Sequence, residues 1–226
     1  MPEPPRRTDA VLLRVPRASD EQVVRAAHAE LAECGFDFAL GLEPGMTWSR
    51  YLSTLEERRI GAGLPPGIVP ETFLVATVDD EIIGRASVRH TLNPALARRG
   101  GHIGYAVLRR FRGRGYGTAI LRASVAVAHG LGVDRILVTC DDTNAASAHI
   151  IESCGGRSTR SSRGPTAHWY AGTGSAEAPT TRTPRIQAAA VAVCATGSVH
   201  CRKGSAHGRY RRFHGRADRW ERGADN

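Results

Sequence analysis

Between Arg109 and Thr118 the chain interleaves charge with glycine: Arg109, Arg110, Arg112 and Arg114 alternate with Gly113, Gly115 and Gly117. Glycine tolerates positive φ and lets backbone N–H groups converge without a Cβ in the way. Arginine adds charge and forked donors suited to phosphate oxygens. A helical pattern begins at once after Gly115, so unpaired first-turn amides and the positive end of a helix dipole join them. The combination reads as a cradle for a pyrophosphate. It is not a Walker loop, because no Gly-Lys-Ser/Thr is present. Asp141 and Asp142 follow the next strand as a ribose-binding acid would in a Rossmann turn, but the pattern otherwise differs. The glycines read GRGYG instead of GxGxxG, and the unit follows a hairpin instead of opening the fold.

The elements that must hold this loop follow from periodicity. His102 to Leu108 reads as a strand leading in, and Tyr116 to about His129 as a helix leading out, with Ile120, Ala123 and Val127 on one face. A short β-branched strand, Ile136 to Cys140, comes next. A helix from about Asn144 to Cys154 follows, closed by Gly155-Gly156. Upstream, Val11 to Val15 predicts a first strand. Ser19 predicts a helix start with Gln22 completing a capping box, and Thr47 a second cap for a helix ending near Gly61. Thr72 to Val78 and a partner through about His90 flank an Asp79-Asp80 turn, a hairpin signal. Asn93-Pro94 ends it, one helical turn spans Ala95 to Arg99, and a last hairpin spans Arg157 to Tyr170.

Composition bounds the rest. The 226 residues, 41% hydrophobic and 23% charged, fit one globular domain with an appendage. We expect a flexible leader over residues 1–8, a domain over 9–171 and a basic low-complexity tail, disordered, over 172–226. That tail has ten basic residues against four acidic ones, so it carries +6 of the net +9 and leaves the domain only weakly basic. No specific nucleic-acid partner is therefore expected. No apolar run approaches the roughly 20 residues of a membrane span, and the opening MPEPPRRTDA lacks a signal-peptide core. The expected compartment is the cytoplasm, with Cys34, Cys140, Cys154, Cys194 and Cys201 as free thiols. No metal is expected: Cys194, His200, Cys201, His207 and His214 match no common zinc spacing.

The segments RGRGYG, RHTLN, GGHIGY, LVTCDDTN and IIESCGG, in this order of elements, resemble the GNAT N-acetyltransferase superfamily and its R/Q-x-x-G-x-G/A signature. The resemblance spans about Val11 to Tyr170. It implies an α/β fold of GNAT type, a mostly antiparallel mixed sheet whose central parallel strands splay apart, flanked by helices. It implies acetyl-CoA as co-substrate in that opening. The pyrophosphate would lie on amides of Arg112, Gly113, Arg114, Gly115, Tyr116, Gly117 and Thr118. The pantetheine arm would lie along Ala106, Val107 and Leu108, with Asn144 and Ser147 in reach. The implied reaction is direct attack of a primary amine on the thioester in a ternary complex, with a small-molecule or peptide acceptor and a monomeric or homodimeric enzyme.

Direct attack needs a base for the ammonium proton, a donor for the oxyanion and an acid for the thiolate. A backbone N–H near Val107 suits the oxyanion. Many members carry a glutamate on the central strand, where this chain has Gly101-His102, and a tyrosine in the last helix, where it has Ile151. His102 is then the nearest base, with His90 and Tyr105 in reserve, since an ordinary histidine titrates near about 6.5. Each has a plainer reading: His102 and His90 as strand histidines with structural hydrogen bonds, Asn144 as a helix cap. Two rivals stand beside the enzyme: a noncatalytic acyl-CoA-binding or sensing module, and a nucleic-acid binder acting through the tail.

Overall fold

A computed structural model of the chain describes residues 11–159 and 166–171. The expected leader and basic tail lie outside them. The element order is β1 (Leu12–Arg14), a 3-10 turn (Ala18–Asp20), α1 (Glu21–Ala32), α2 (Trp48–Ile60), β2 (Glu71–Val78), β3 (Glu81–Arg89), α3 (Pro94–Arg98), β4 (Ile103–Val107), α4 (Tyr116–Gly130), β5 (Ile136–Asp141), α5 (Ala145–Ser153), β6 (Gly156–Thr159) and β7 (Thr166–Ala171).

Local chemistry sets most of these boundaries. Thr47 accepts from the Arg50 N–H at 3.3 Å to start α2, and Gly61 ends it in the left-handed region. Asn93 caps α3 with Pro94 at its first position. Asp79 and Asp80 both take positive φ, the geometry of a tight hairpin turn between β2 and β3. One expected boundary differs. The Ser19–Gln22 capping box is replaced by Asp20, whose carboxylate accepts from the Arg17 N–H at 2.6 Å and pairs with Arg14. That carboxylate closes the 3-10 turn Ala18–Asp20 back onto Arg17, and α1 follows it from Glu21 with no side-chain cap.

Two sheets result, with strand orders β1-β2-β3-β4 and β5-β7-β6, every ladder antiparallel. The expected splay between β4 and β5 is thus complete: no ladder joins them among the described residues. The chain entering β4 meets β5 where the His102 N–H donates to the Leu137 carbonyl at 2.7 Å and the Gly100 N–H to Thr139 Oγ1 at 2.9 Å. The next ladder bond never forms, because the Leu137 N–H donates to the His102 ring Nδ1 at 2.9 Å instead of to a backbone oxygen. Gly101 permits this approach. Its φ is +60°, and a Cβ there would sit 2.5 Å from the Leu137 carbonyl oxygen.

The core lies on both faces of β2 and β3, which read as near-continuous buried runs. Tyr51 and Leu55 of α2 cover one face, while Ile120 and Leu121 of α4 are fully buried against β3 and β4. Burying each of those two α4 side chains contributes roughly 1.5–3 kcal/mol, which fixes the loop before α4 against the sheet. Polar exceptions in this apolar layer are Thr72, Thr77, Arg85 and Ser87, the last three fully or nearly fully buried.

Candidate active site

The basic loop divides its arginines between structure and open charge. Arg109 faces Glu30 of α1 and Glu33 just past its end, and Arg110 pairs with Glu81 at 2.8 Å. Arg112 and Arg114 have no acidic partner among the described residues. Arg112 donates Nε to the Val107 carbonyl at 3.1 Å, and Arg114 stands over the Phe111 ring. Gly113 and Gly115 take φ of 75° and 76°, and Gly115 is the N-cap of α4 with no side chain capping it. The first-turn amides of Tyr116, Gly117 and Thr118 are therefore left without a side-chain acceptor. Tyr116 itself turns its ring inward against Phe111, 6.3 Å between centroids, so it brackets the loop with its side chain.

Beyond the loop, the strands part around a cavity of about 330 Å³. The β3–β4 register pairs Arg85 with Ala106 and Ser87 with Gly104, and Leu108 donates to Ile83. Alternation along an antiparallel strand then points the N–H and C=O of Tyr105 and Val107 away from β3, toward the opening. The Val107 oxygen is held by Arg112, leaving its N–H. Across the cavity, the Tyr105 hydroxyl and Ser147 Oγ are 2.9 Å apart. Ser147 also donates its N–H to Asn144 Oδ1 at 3.0 Å. Asn144 is thus a helix cap whose amide nitrogen is still available to donate. Burial raises the Tyr105 phenol well above its usual range, so it keeps its proton at neutral pH. Burial likewise pushes the Cys140 thiol up to about 11, an inert wall and not a nucleophile.

Tyr105, Ala106, Val107, Arg112, Asn144 and Ser147 therefore share one cavity. Leu108 is buried below it. The two histidines lie elsewhere. His90 sits past the end of β3, its Nε2 against Thr72 Oγ1 at 2.8 Å. His102 lies at the closed end of the opening, and a ring accepting at Nδ1 carries its hydrogen on Nε2 and has no free lone pair. Burial lowers both imidazoles from the ordinary value, which keeps them neutral. Arg85, Arg89 and Arg99 also line the cavity, and sequence reasoning did not single them out. The one available signal was a charged residue at Arg85, the middle of an otherwise apolar strand.

The family profile described as "Acetyltransferase (GNAT) domain" matches residues 4–157, more than half the chain. The chain belongs to the GNAT acetyltransferase family. Among solved structures, an acetyltransferase from Agrobacterium tumefaciens is 18% identical with a TM-score of 0.50, covering 76% of this chain and 96% of its own. Mycobacterium smegmatis RimJ in complex with CoA-disulfide is 22% identical, with a TM-score of 0.49 and coverage of 71% and 79%. The GNAT domain of S. lividans PAT is 17% identical, with a TM-score of 0.47 and coverage of 71% and 88%. No curated protein matches the chain. The family match and the Agrobacterium likeness agree with the mixed α/β GNAT fold, and among the described residues no helix is long and apolar enough to cross a membrane.

Proposed function

We propose that this GNAT protein transfers acetyl from acetyl-CoA to a primary amine by direct attack in a ternary complex. The observation that carries the reading is the uncapped N-terminus of α4 behind two left-handed glycines, opening beside strands that part. Arg112 and Arg114, with the amides from Gly113 to Thr118, would hold the pyrophosphate. The edges of Tyr105 and Val107 and the Asn144 amide would hold the pantetheine arm. Acetyl-CoA supplies an activated thioester. The residues fit it, because this edge has donors and acceptors without a ladder partner.

In this reading the Val107 N–H stabilises the developing oxyanion, and protonated Tyr105, backed by Ser147, donates toward the departing thiolate. His102 and His90 take no proton. The first holds the strands together at their meeting point and the second ties β3 to Thr72. The amine loses its proton to solvent before attack. Release of free CoA from acetyl-CoA across a panel of amines tests the proposal. Saturable, amine-dependent release supports it. Acetyl-CoA binding without turnover on every amine class would leave a binding module instead.

A further inference from the structure

Arg85 is 4% exposed, yet among the described residues neither it nor Arg89 has a carboxylate within ion-pair distance. Arg85 donates to the Gly104 and Asp37 carbonyls at 3.3 and 3.1 Å, while its buried Nε has no partner. Arg89 donates one nitrogen to the Gly100 and Gly101 carbonyls, at 3.2 and 3.1 Å. Carbonyls hold these side chains in place but do not neutralise them. The nearest acids favour the Arg85 charge only from a distance: the Asp37 carboxylate faces His28 at 3.5 Å, and Glu71 accepts from the Ser87 hydroxyl, neither in contact with a guanidinium.

The two guanidiniums also converge. A Cβ built on Gly104 would lie 3.5 Å from Arg85 Nη1 and 3.7 and 3.9 Å from the two terminal nitrogens of Arg89. Three cationic donors thus surround one point above a residue that has no side chain to fill it. Two like charges this close, one of them desolvated, are offset only in part by Glu71 and Asp37 at a distance, and an anion in direct contact would stabilise them further. Phe36, stacked on Arg85 at 4.9 Å, walls the same cavity. Arg99, by contrast, is compensated by Asp141 at 2.9 Å.

We infer that Arg85 and Arg89 form a carboxylate site and that the acceptor is a small amine bearing a carboxylate, as amino acids do. A planar carboxylate matches the forked donors that both guanidiniums turn toward Gly104. This rests on the acetyltransferase reading above. An acidic residue beside a peptide N-terminus presents the same group, so the test includes it.

Acetyl-CoA turnover by the full chain is compared on leucine, leucinamide and 3-methylbutylamine, and on short peptides beginning Ala-Asp or Ala-Asn. The expected kcat/KM favours a carboxylate member over its carboxamide by about tenfold or more, mainly through KM, as one retained charge-assisted contact implies. Preference among free amines alone assigns the metabolite source, and preference among peptides alone the peptide source. Arg89→Gln should bring that ratio toward one. Gly104→Asp, which supplies a carboxylate from β4, should do the same and raise the Tm. Independently of turnover, calorimetry with succinate and succinamide should show succinate binding to the parent and not to Gly104→Asp. Equal turnover of acids and carboxamides, or a ratio unmoved by both variants, overturns the inference. So does succinate binding no better than succinamide. Absence of turnover on every amine, with succinate still bound selectively, would sink the enzymatic reading and leave the carboxylate site standing.

Discussion

Replacing His102 with alanine separates a structural histidine from a catalytic one. The imidazole is the acceptor for the N–H of Leu137, a residue only 4% exposed. Removing it leaves a buried donor unpaired, which costs about 1–3 kcal/mol. For a domain of this size each kcal/mol moves Tm by about 2–4 °C, so the expected drop is about 2–12 °C, read by calorimetry at pH 8. The pH dependence has a definite sign. Burial, with the Arg89 charge beside it, holds the folded pKa below the ordinary value, so the unfolded chain binds more protons in between. The stability His102 contributes is therefore present above about 6.5 and is lost as pH falls below it through the folded pKa. His102→Ala should flatten that acid limb, while the parent and variant pH–rate profiles keep the same shape where both are folded. A variant with unchanged Tm, a large loss of kcat and a missing limb in the rate profile would refute this account and make His102 the base.

The remaining expectations follow from the same geometry. Gly115→Glu forces a left-handed φ of 76° on a side chain and places negative charge at the N-terminus of α4. Acetyl-CoA affinity, measured by titration calorimetry, should fall by more than about tenfold. Tyr105→Phe removes the hydroxyl that meets Ser147 at 2.9 Å. It should lower kcat by about a hundredfold or more while acetyl-CoA affinity changes little, an outcome within the usual range for a proton donor. Gly101→Ala puts a Cβ 2.5 Å from the Leu137 oxygen at a φ of +60°. It should cost about 1–3 kcal/mol in backbone strain alone, seen as a lower midpoint in urea.

What the sequence made legible was local. The cradle could be read because glycine, arginine and a helix start are consecutive, and Gly113 and Gly115 do take positive φ. Thr47 and the Asp79-Asp80 turn were legible for the same reason, each acting within four residues of itself, whereas Asn93 reads in the sequence only as a break and caps α3 in the fold. The His102 tie was not, because a side chain standing in for a backbone carbonyl 35 residues away leaves no periodic trace. Arg85 and Arg89 share a face by the two-residue period of β3. Only the fold reveals that Gly104 lies beneath them and that no carboxylate among the described residues is in contact with either.

These features bear on one mechanical problem. A strand edge that is to receive a ligand must keep its donors unpaired, yet two sheets sharing a core must still be joined. A full ladder between β4 and β5 would join them and leave no edge. The chain instead makes one backbone bond and one imidazole bond at Leu137, then lets the strands diverge. Gly101 sets how near that junction lies, and Tyr105 with Ser147 bridges the strand to α5 further along. The width of the opening is therefore fixed at both ends by named side chains, not by sheet pairing. A histidine that closes the junction cannot also exchange protons with the amine, since protonation would turn its acceptor into a donor facing the Leu137 N–H. Rigidity at that point disfavours proton transfer there, which is consistent with the proposed loss of the amine proton to solvent, and the ionisable hydroxyl that β4 turns to the cavity, Tyr105, is one that keeps its proton.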